Sequence, residues 1–417
     1  DVKVGGDNFN GSLLVGHEIT GTLDEAVNNL GVGLAALDAI SSGAYNTGLG
    51  YGALGNTNSG EGNTAIGGFA GVSITTGSRN IAVGKTAYDW ADTENDNMAI
   101  GYNALGGPIS GGEYNIAIGN YSLDANTSGD YNVAVGYNSL TANTAASYVT
   151  ALGGNALKAN TTGSGNTAVG TNAMESNTTG ASNTVMGWNA LVTNTTGSNN
   201  LAMGVNTMFY NTTGYKNVAL GDYGLWSNTE GMENVAISGN SSLYKNTTGS
   251  QNIAIGAASL YNNETGNYNI AIGRSSLYSN TASNNVGIGH ESLKSNTTGY
   301  RNVALGYHGL WSNTEGMENV AISGNSSLYK NTTGKQNVAI GALSLYNNET
   351  GNYNIAIGRS SLYSNTASNN VGIGHESLRS NTTGNNNTAS GYRSLYSNTT
   401  GSNNTATGSV SLASNTT

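Results

Sequence analysis

A glycine that closes an Ala–aliphatic–Gly triplet recurs every seventeen residues along this chain, and no other feature limits the fold as tightly. With that glycine as position zero, the series runs from Gly16 and Gly33 through Gly136 and Gly273 to Gly408, in 24 units with occasional steps of 16 or 18. The consensus is N-[VIT]-A-[IVL]-G-x-x-[AS]-L-x-[SA]-N-T-T-G-x-x. An Asn precedes the triplet in 22 of the 24 units, Ser12 and Val149 being the exceptions, and the Asn at +7 is unbroken from Asn126 to Asn415. Length changes fall at turns or segment ends: one 18-residue step lies near Pro108, and Ser238 and Ser323 are inserted beside the glycine. A longer period overlies the short one. Residues 214–295 recur at 299–380 with seven substitutions, an offset of 85 residues or five units. Copying whole units is tolerated where each unit touches only its neighbours, as in a quasi-one-dimensional array.

Within a unit, positions −3 and −1 are aliphatic while −2 and 0 are Ala and Gly. That alternation predicts a short strand with one Val/Ile face and one face of small groups. A second short strand is predicted around the Leu at +4. Asn-Thr-Thr-Gly then supplies a turn, with glycine free to take positive φ and Asn bonding to local backbone. Recurrent Gly, Asn and Thr disfavour helix. The fold expected is therefore all-β, a parallel β-solenoid of about 24 coils with 17 residues per coil. Residues 1–11 read as a lead-in strand and 12–417 as a continuous shaft. At strand spacing such a stack would be on the order of 115 Å long. Like residues then lie above one another, and Asn126, Asn143, Asn160, Asn177, Asn194 and Asn211 are expected to form a structural amide ladder. The sequence stops at Thr417 inside a turn with no cap of different composition, so the polypeptide is expected to continue at its ends or to dock there onto other subunits.

Few aliphatic side chains are available to each coil, so ladder hydrogen bonds must supply much of the stability. A lone thin coil is then marginal, and the smooth Ala/Gly/Ser face of the strand is expected to pack against copies of itself, with three chains about one axis. The bulk composition narrows the partners. Lys+Arg number 14 against 24 Asp+Glu, for a net charge of −10, which argues against nucleic acid. No apolar run approaches a membrane span, so no membrane insertion is expected. Cysteine is absent and proline occurs once, which removes disulfides and thiolate metal sites and sets the chain apart from proline-rich disordered tracts.

The "VAIG" and "IAIG" strings followed by a polar turn resemble the head repeats of trimeric autotransporter adhesins. Units of the "NTAIG…NTTG" kind, with the opening "GGDNFNGSLLVGHEITGTL", also resemble repeats of bacteriophage tail fibres, marine phages included. The resemblance covers essentially the whole chain. It implies a left-handed roll of three chains, and a role as fibre shaft or adhesin head at the surface of a virion or cell. Partners would be further fibre or particle subunits at the ends and host-surface glycans. The adhesin repeat is shorter than seventeen residues, so the coil shape is expected to differ, and the spacing itself sets no handedness.

No catalytic constellation emerges. The carboxylates are scattered, and the four histidines, His17, His290, His308 and His375, sit near no cysteine and form no HExxH pair. They read as exposed decoration, with no metal, no cofactor and no enzymatic activity expected. Position +5 is more informative: Trp226, Tyr244, Tyr261, Tyr278, Trp311, Tyr329, Tyr346, Tyr363 and Tyr396 form a column next to the inward Leu. These rings should point outward or into a neighbouring chain, either as a stiffening ladder or subunit contact, or as a strip that binds sugars. The Asn-Thr-Thr turns are glycosylation sequons on paper, but a glycan on every turn would crowd its neighbours about 5 Å away. Their adjacent threonines also lack the alternation that an ice-binding array needs.

Overall fold

The computed structural model describes residues 2–4, 10–16 and 24–417; His17 and most of the expected lead-in lie outside these residues. The chain forms two compact units, Asp1–Thr213 and Gly214–Thr417. In the first, β1 (Val2–Val4) runs antiparallel to β2 (Leu13–Val15), which begins a parallel series ending at Leu201–Met203. In the second, a parallel series runs from Val218–Leu220 to Thr405–Thr407. Within each unit every strand of the series pairs with the next, typically Ala over Ala, as in Ala236, Ala254 and Ala271, and the register shifts at a bulge between Leu305 and Tyr307. No helix occurs among the described residues. The architecture is a parallel β-solenoid with seventeen residues per coil.

Each coil carries one strand where two were expected. The stretch around the +4 Leu is a succession of turns, with left-handed backbone at +2 and +4 and again at −5. In the coil of Gly136 these positions are Asn138 (φ 54), Leu140 (φ 53) and Tyr131 (φ 55). Left-handed backbone costs a non-glycine residue roughly 1–2 kcal/mol. What offsets the cost is bonding to the neighbouring coil. Leu140 N–H donates to Ala156 O (2.9 Å), Ala142 N–H to Lys158 O (3.0 Å) and Thr144 N–H to Thr161 O (3.0 Å). Pairing between coils thus continues where the backbone is no longer extended. The glycine at zero is required on two counts. At Gly136 φ is 136, and a Cβ there would sit 2.5 Å from the Gly153 carbonyl oxygen.

The strand faces are the reverse of those expected. Ala236, Ala254 and Ala271 at −2 are fully buried, and so are Leu243, Leu260 and Leu277 at +4. The branched aliphatics at −3 and −1 face outward instead: Ile66 is 39% exposed, Ile255 37% and Ile373 42%. The reason is volume. The coil is only wide enough for the strand's methyl groups to meet the +4 leucines. Where Gly48 replaces the alanine, a Cβ would lie 3.3 Å from Leu37 Cγ and 3.0 Å from the Ala53 carbonyl oxygen. A Leu is accommodated at this position only where the next coil gives up its own side chain, as Leu14 is over Gly31. The small-residue face is therefore the interior and cannot be a subunit contact.

Two files of buried asparagine complete the core. At +7, Nδ2 of Asn143 donates to Asn126 Oδ1 (2.8 Å), Asn177 to Asn160 (2.7 Å), Asn194 to Asn177 (2.6 Å) and Asn211 to Asn194 (2.8 Å). Asn160 reaches Asn143 at 3.4 Å. Asn126 to Asn194 in this file also donate to their own turns, as Asn177 does to Gly180 O (2.9 Å). The second file precedes the strand. Asn302 N–H donates to Asn285 Oδ1 (3.0 Å), its Nδ2 donates to Gly316 O (2.8 Å), and its own Oδ1 accepts the N–H of Asn319 (3.0 Å). In both files the side-chain amide donates to the preceding coil. The expected amide ladder is present, and it is internal.

Candidate functional site

Position +5 follows the left-handed +4 leucine, which turns the next side chain out of the core and alongside its equivalents. In the second unit the rings stack in file. Trp226, Tyr244, Tyr261 and Tyr278 have centroids 5.0, 5.0 and 5.1 Å apart, with planes within 9° of parallel. Trp311, Tyr329, Tyr346 and Tyr363 repeat the arrangement at 5.3, 5.1 and 5.2 Å. All nine rings of the column are half-buried. Ring face covers ring face, so solvent meets mainly edges and hydroxyls.

The column is divided by two cations. Lys294 occupies +5 between Tyr278 and Trp311, with Nζ 5.7 Å from the indole centroid. Arg379 stands between Tyr363 and Tyr396 at 5.6 and 5.8 Å. Together they flank the run from Trp311 to Tyr363 with a cation–π contact at each end.

A second aromatic file went unnoticed in the sequence. Tyr114, Tyr131 and Tyr148 at −5 stack at 4.9 and 5.4 Å and are 45%, 50% and 68% exposed. Their recurrence at the coil period was the available signal. The same position holds the bidentate pair Arg79–Asp96, both bonds 2.7 Å. The guanidinium holds the Asp96 carboxyl below its ordinary range.

Two of the described histidines, His290 and His308, are half-buried and lie together rather than as exposed decoration. His290 and Glu291 sit at +1 and +2 of one coil, and Tyr307 and His308 at the same places in the next. Imidazole stacks on phenol between His290 and Tyr307 (5.5 Å), and His308 Nε2 lies 3.1 Å from Glu291 Oε2. Lys294 holds the other carboxylate oxygen at 2.7 Å, and the Trp311 indole N–H donates to Oε2 at 3.0 Å. Lys294 chiefly, and the indole, draw the Glu291 carboxyl down to about 2. Burial lowers the His308 imidazole despite the carboxylate beside it. In the duplicated block His375 and Glu376 keep their places, but the next coil, beyond the block, has Arg393 at the position equivalent to His308, and its Nε lies 2.6 Å from Glu376 Oε2.

No protein-family model matches the chain, and no curated protein is significantly similar to it.

Proposed function

We propose that this chain is a structural shaft, a stiff spacer in a fibre or adhesin that holds a recognition element away from a virion or cell. Its role is mechanical rather than catalytic. The observation that carries this reading is where the buried polar groups go. Both asparagine files bond coil to coil, so the conserved chemistry of the repeat is used to hold one coil on the next. The five-coil duplication supports it too, because lengthening a spacer by copying needs no new site.

The shaft associates as three copies in this reading, through the outward aliphatic rows rather than the alanine face. Those rows, exemplified by Ile255, Ile288, Ile340 and Ile373, recur at one spacing along the second unit. A row of that pitch is matched, coil for coil, by the same row on another copy, which buries branched side chains that one chain leaves in water. The resemblance to trimeric adhesin heads and phage fibres agrees with three copies and with an extracellular or virion location.

Native mass measurement with small-angle scattering tests the proposal. The expected result is three times the 42.4 kDa chain mass and an elongated scattering profile. A single-chain mass removes the trimer, and a compact profile removes the shaft. Glycan binding that disappears on changing Tyr244, Tyr261 and Tyr278 to Ala would replace the shaft with a carbohydrate-gripping module. The mutually covered ring faces argue against that outcome.

A further inference from the structure

We propose that His290, Glu291 and His308 bind one divalent transition-metal ion of the zinc, cobalt or nickel class, bridging two adjacent coils of the second unit. Among the described residues this is the one group of three histidine or acidic side chains whose ligand atoms converge, all lying within 4.8 Å of one another. The coil geometry produces the convergence. Left-handed backbone at Glu291 (φ 54) and His308 (φ 55) places +1 and +2 side by side on each coil, and stacking sets one coil's pair over the next. The result is a two-by-two patch: His290 and Glu291 on one row, Tyr307 and His308 on the other. Three of its corners are ligand types suited to a borderline-soft cation.

One separation already fits a metal centre. His308 Nε2 and Glu291 Oε2 are 3.1 Å apart, close to the edge of about 3.3 Å that bonds of roughly 2.0–2.1 Å make in a tetrahedron. His290 Nδ1 is buried from solvent and has no hydrogen-bond partner, an orphaned nitrogen that a small side-chain rotation or a metal would satisfy. Lys294 and Trp311 fix the carboxylate from outside, as outer hydrogen-bond partners do at metal centres. Lys294 also brings a positive charge near the site, which weakens binding without blocking Oε2.

The equivalent positions five coils further on supply an internal comparison. There the +2 carboxylate of Glu376 meets the fixed cation of Arg393, and the set is reduced to His375 and Glu376. Both carboxylates have a cation at +5 of their own coil, Lys294 and Arg379. They differ in the next coil, where one meets a second imidazole and the other a guanidinium.

The test is calorimetric titration of the chelator-stripped full chain with Zn2+ at neutral pH, with Co2+ absorption as a second readout. The expected result is one ion per chain, with a ligand-field spectrum showing nitrogen coordination. His308→Arg copies Arg393, which stands at the same +2 position five coils further on, so the coil should fold, and loss of one of three ligands should weaken binding by on the order of 100-fold or more. Arg393→His should create a second site and raise the stoichiometry to two. The proposal is overturned if the unaltered chain takes up no ion, or if His308→Arg binds as tightly and in the same number.

Discussion

Removing one amide from the buried file before the strand should open the solenoid locally, and the cost can be worked from Asn302. In Asn302→Ala the amide bonds to Gly316 O and Asn285 Oδ1 disappear, and so does the acceptor for Asn319. Most former partners keep a substitute. Gly316 O still receives Asn313 Nδ2 (2.9 Å), Asn285 Oδ1 still receives the Asn302 N–H (3.0 Å), and Asn319 Nδ2 still reaches Gly334 O (2.8 Å). The Asn319 N–H loses its side-chain acceptor. A buried donor left unpaired costs about 1–3 kcal/mol, and each lost bond about 0.5–1.5 kcal/mol more. The sum is about 3 kcal/mol. Because neighbouring coils open separately from distant ones, the appropriate assay is amide hydrogen exchange at Asn319 with urea denaturation alongside it. Protection should fall by on the order of 100-fold at Asn319 and remain unchanged several coils away. Asn302→Asp keeps the acceptor but buries a charge facing Gly316 O. It should be worse than Ala at pH 7 and recover as falling pH protonates it. The chain also contains the opposite case: Val149 replaces the amide in one coil, and the next Asn, Asn166, turns its Nδ2 to Gly163 O (2.9 Å). Val149→Asn should add about 1 kcal/mol. Exchange at Asn319 within a few-fold of the unaltered protein would refute the reasoning.

Other substitutions separate the interior from the exterior. Ala271→Leu should destabilise its coil by about 2–3 kcal/mol through overpacking against the +4 leucines, while Ile272→Ser should leave single-chain stability nearly unchanged and weaken self-association. Urea denaturation and native mass read the two effects. Gly136→Ala forces a side chain into a backbone conformation reserved for glycine and toward the Gly153 carbonyl, so a loss of about 3 kcal/mol or more is expected in the same assay. Burial, with a smaller contribution from Asp124, raises the Asp89 carboxyl to about 6. The folded chain therefore holds that proton more tightly, a contribution complete below the ordinary carboxylate range and lost as pH rises through about 6. Asp89→Asn should stabilise by on the order of 1 kcal/mol at pH 7 and by much less at pH 4, measured as the difference in urea midpoint.

The period, the parallel stacking and both asparagine files were legible because each depends on residue type recurring at one spacing. Which face of the strand points inward was not. Alternation at −3, −2 and −1 separates two faces, and hydrophobicity alone assigns Val and Ile to the core. The assignment fails because the room inside is set by the leucine opposite, so Ala254 fits and Ile255 does not. The +4 segment read as a strand because nothing local announces that Leu260 takes φ 52. That conformation exists only when a neighbouring coil is present to bond with. The patch of His290, Glu291 and His308 was hidden for the same reason, since it requires two left-handed residues at +2 on successive coils. The aromatic column was visible as a column, but its division by Lys294 and Arg379 gains meaning only once the rings are known to stack.

The side-chain amides of both files point the same way, and this gives each unit an electrical direction. The amide-to-amide bonds all run toward the lower-numbered coil, while the second amide proton goes to a turn carbonyl, so the file keeps one sense of donor and acceptor as peptide groups do in a helix. A coil spliced in backwards would set oxygen against oxygen, whereas a block copied in the same sense continues the sequence of donors and acceptors without a fault. The 85-residue duplication is a splice of the permitted kind. Lengthening this solenoid by further whole-coil copies in that orientation should leave its polarity intact.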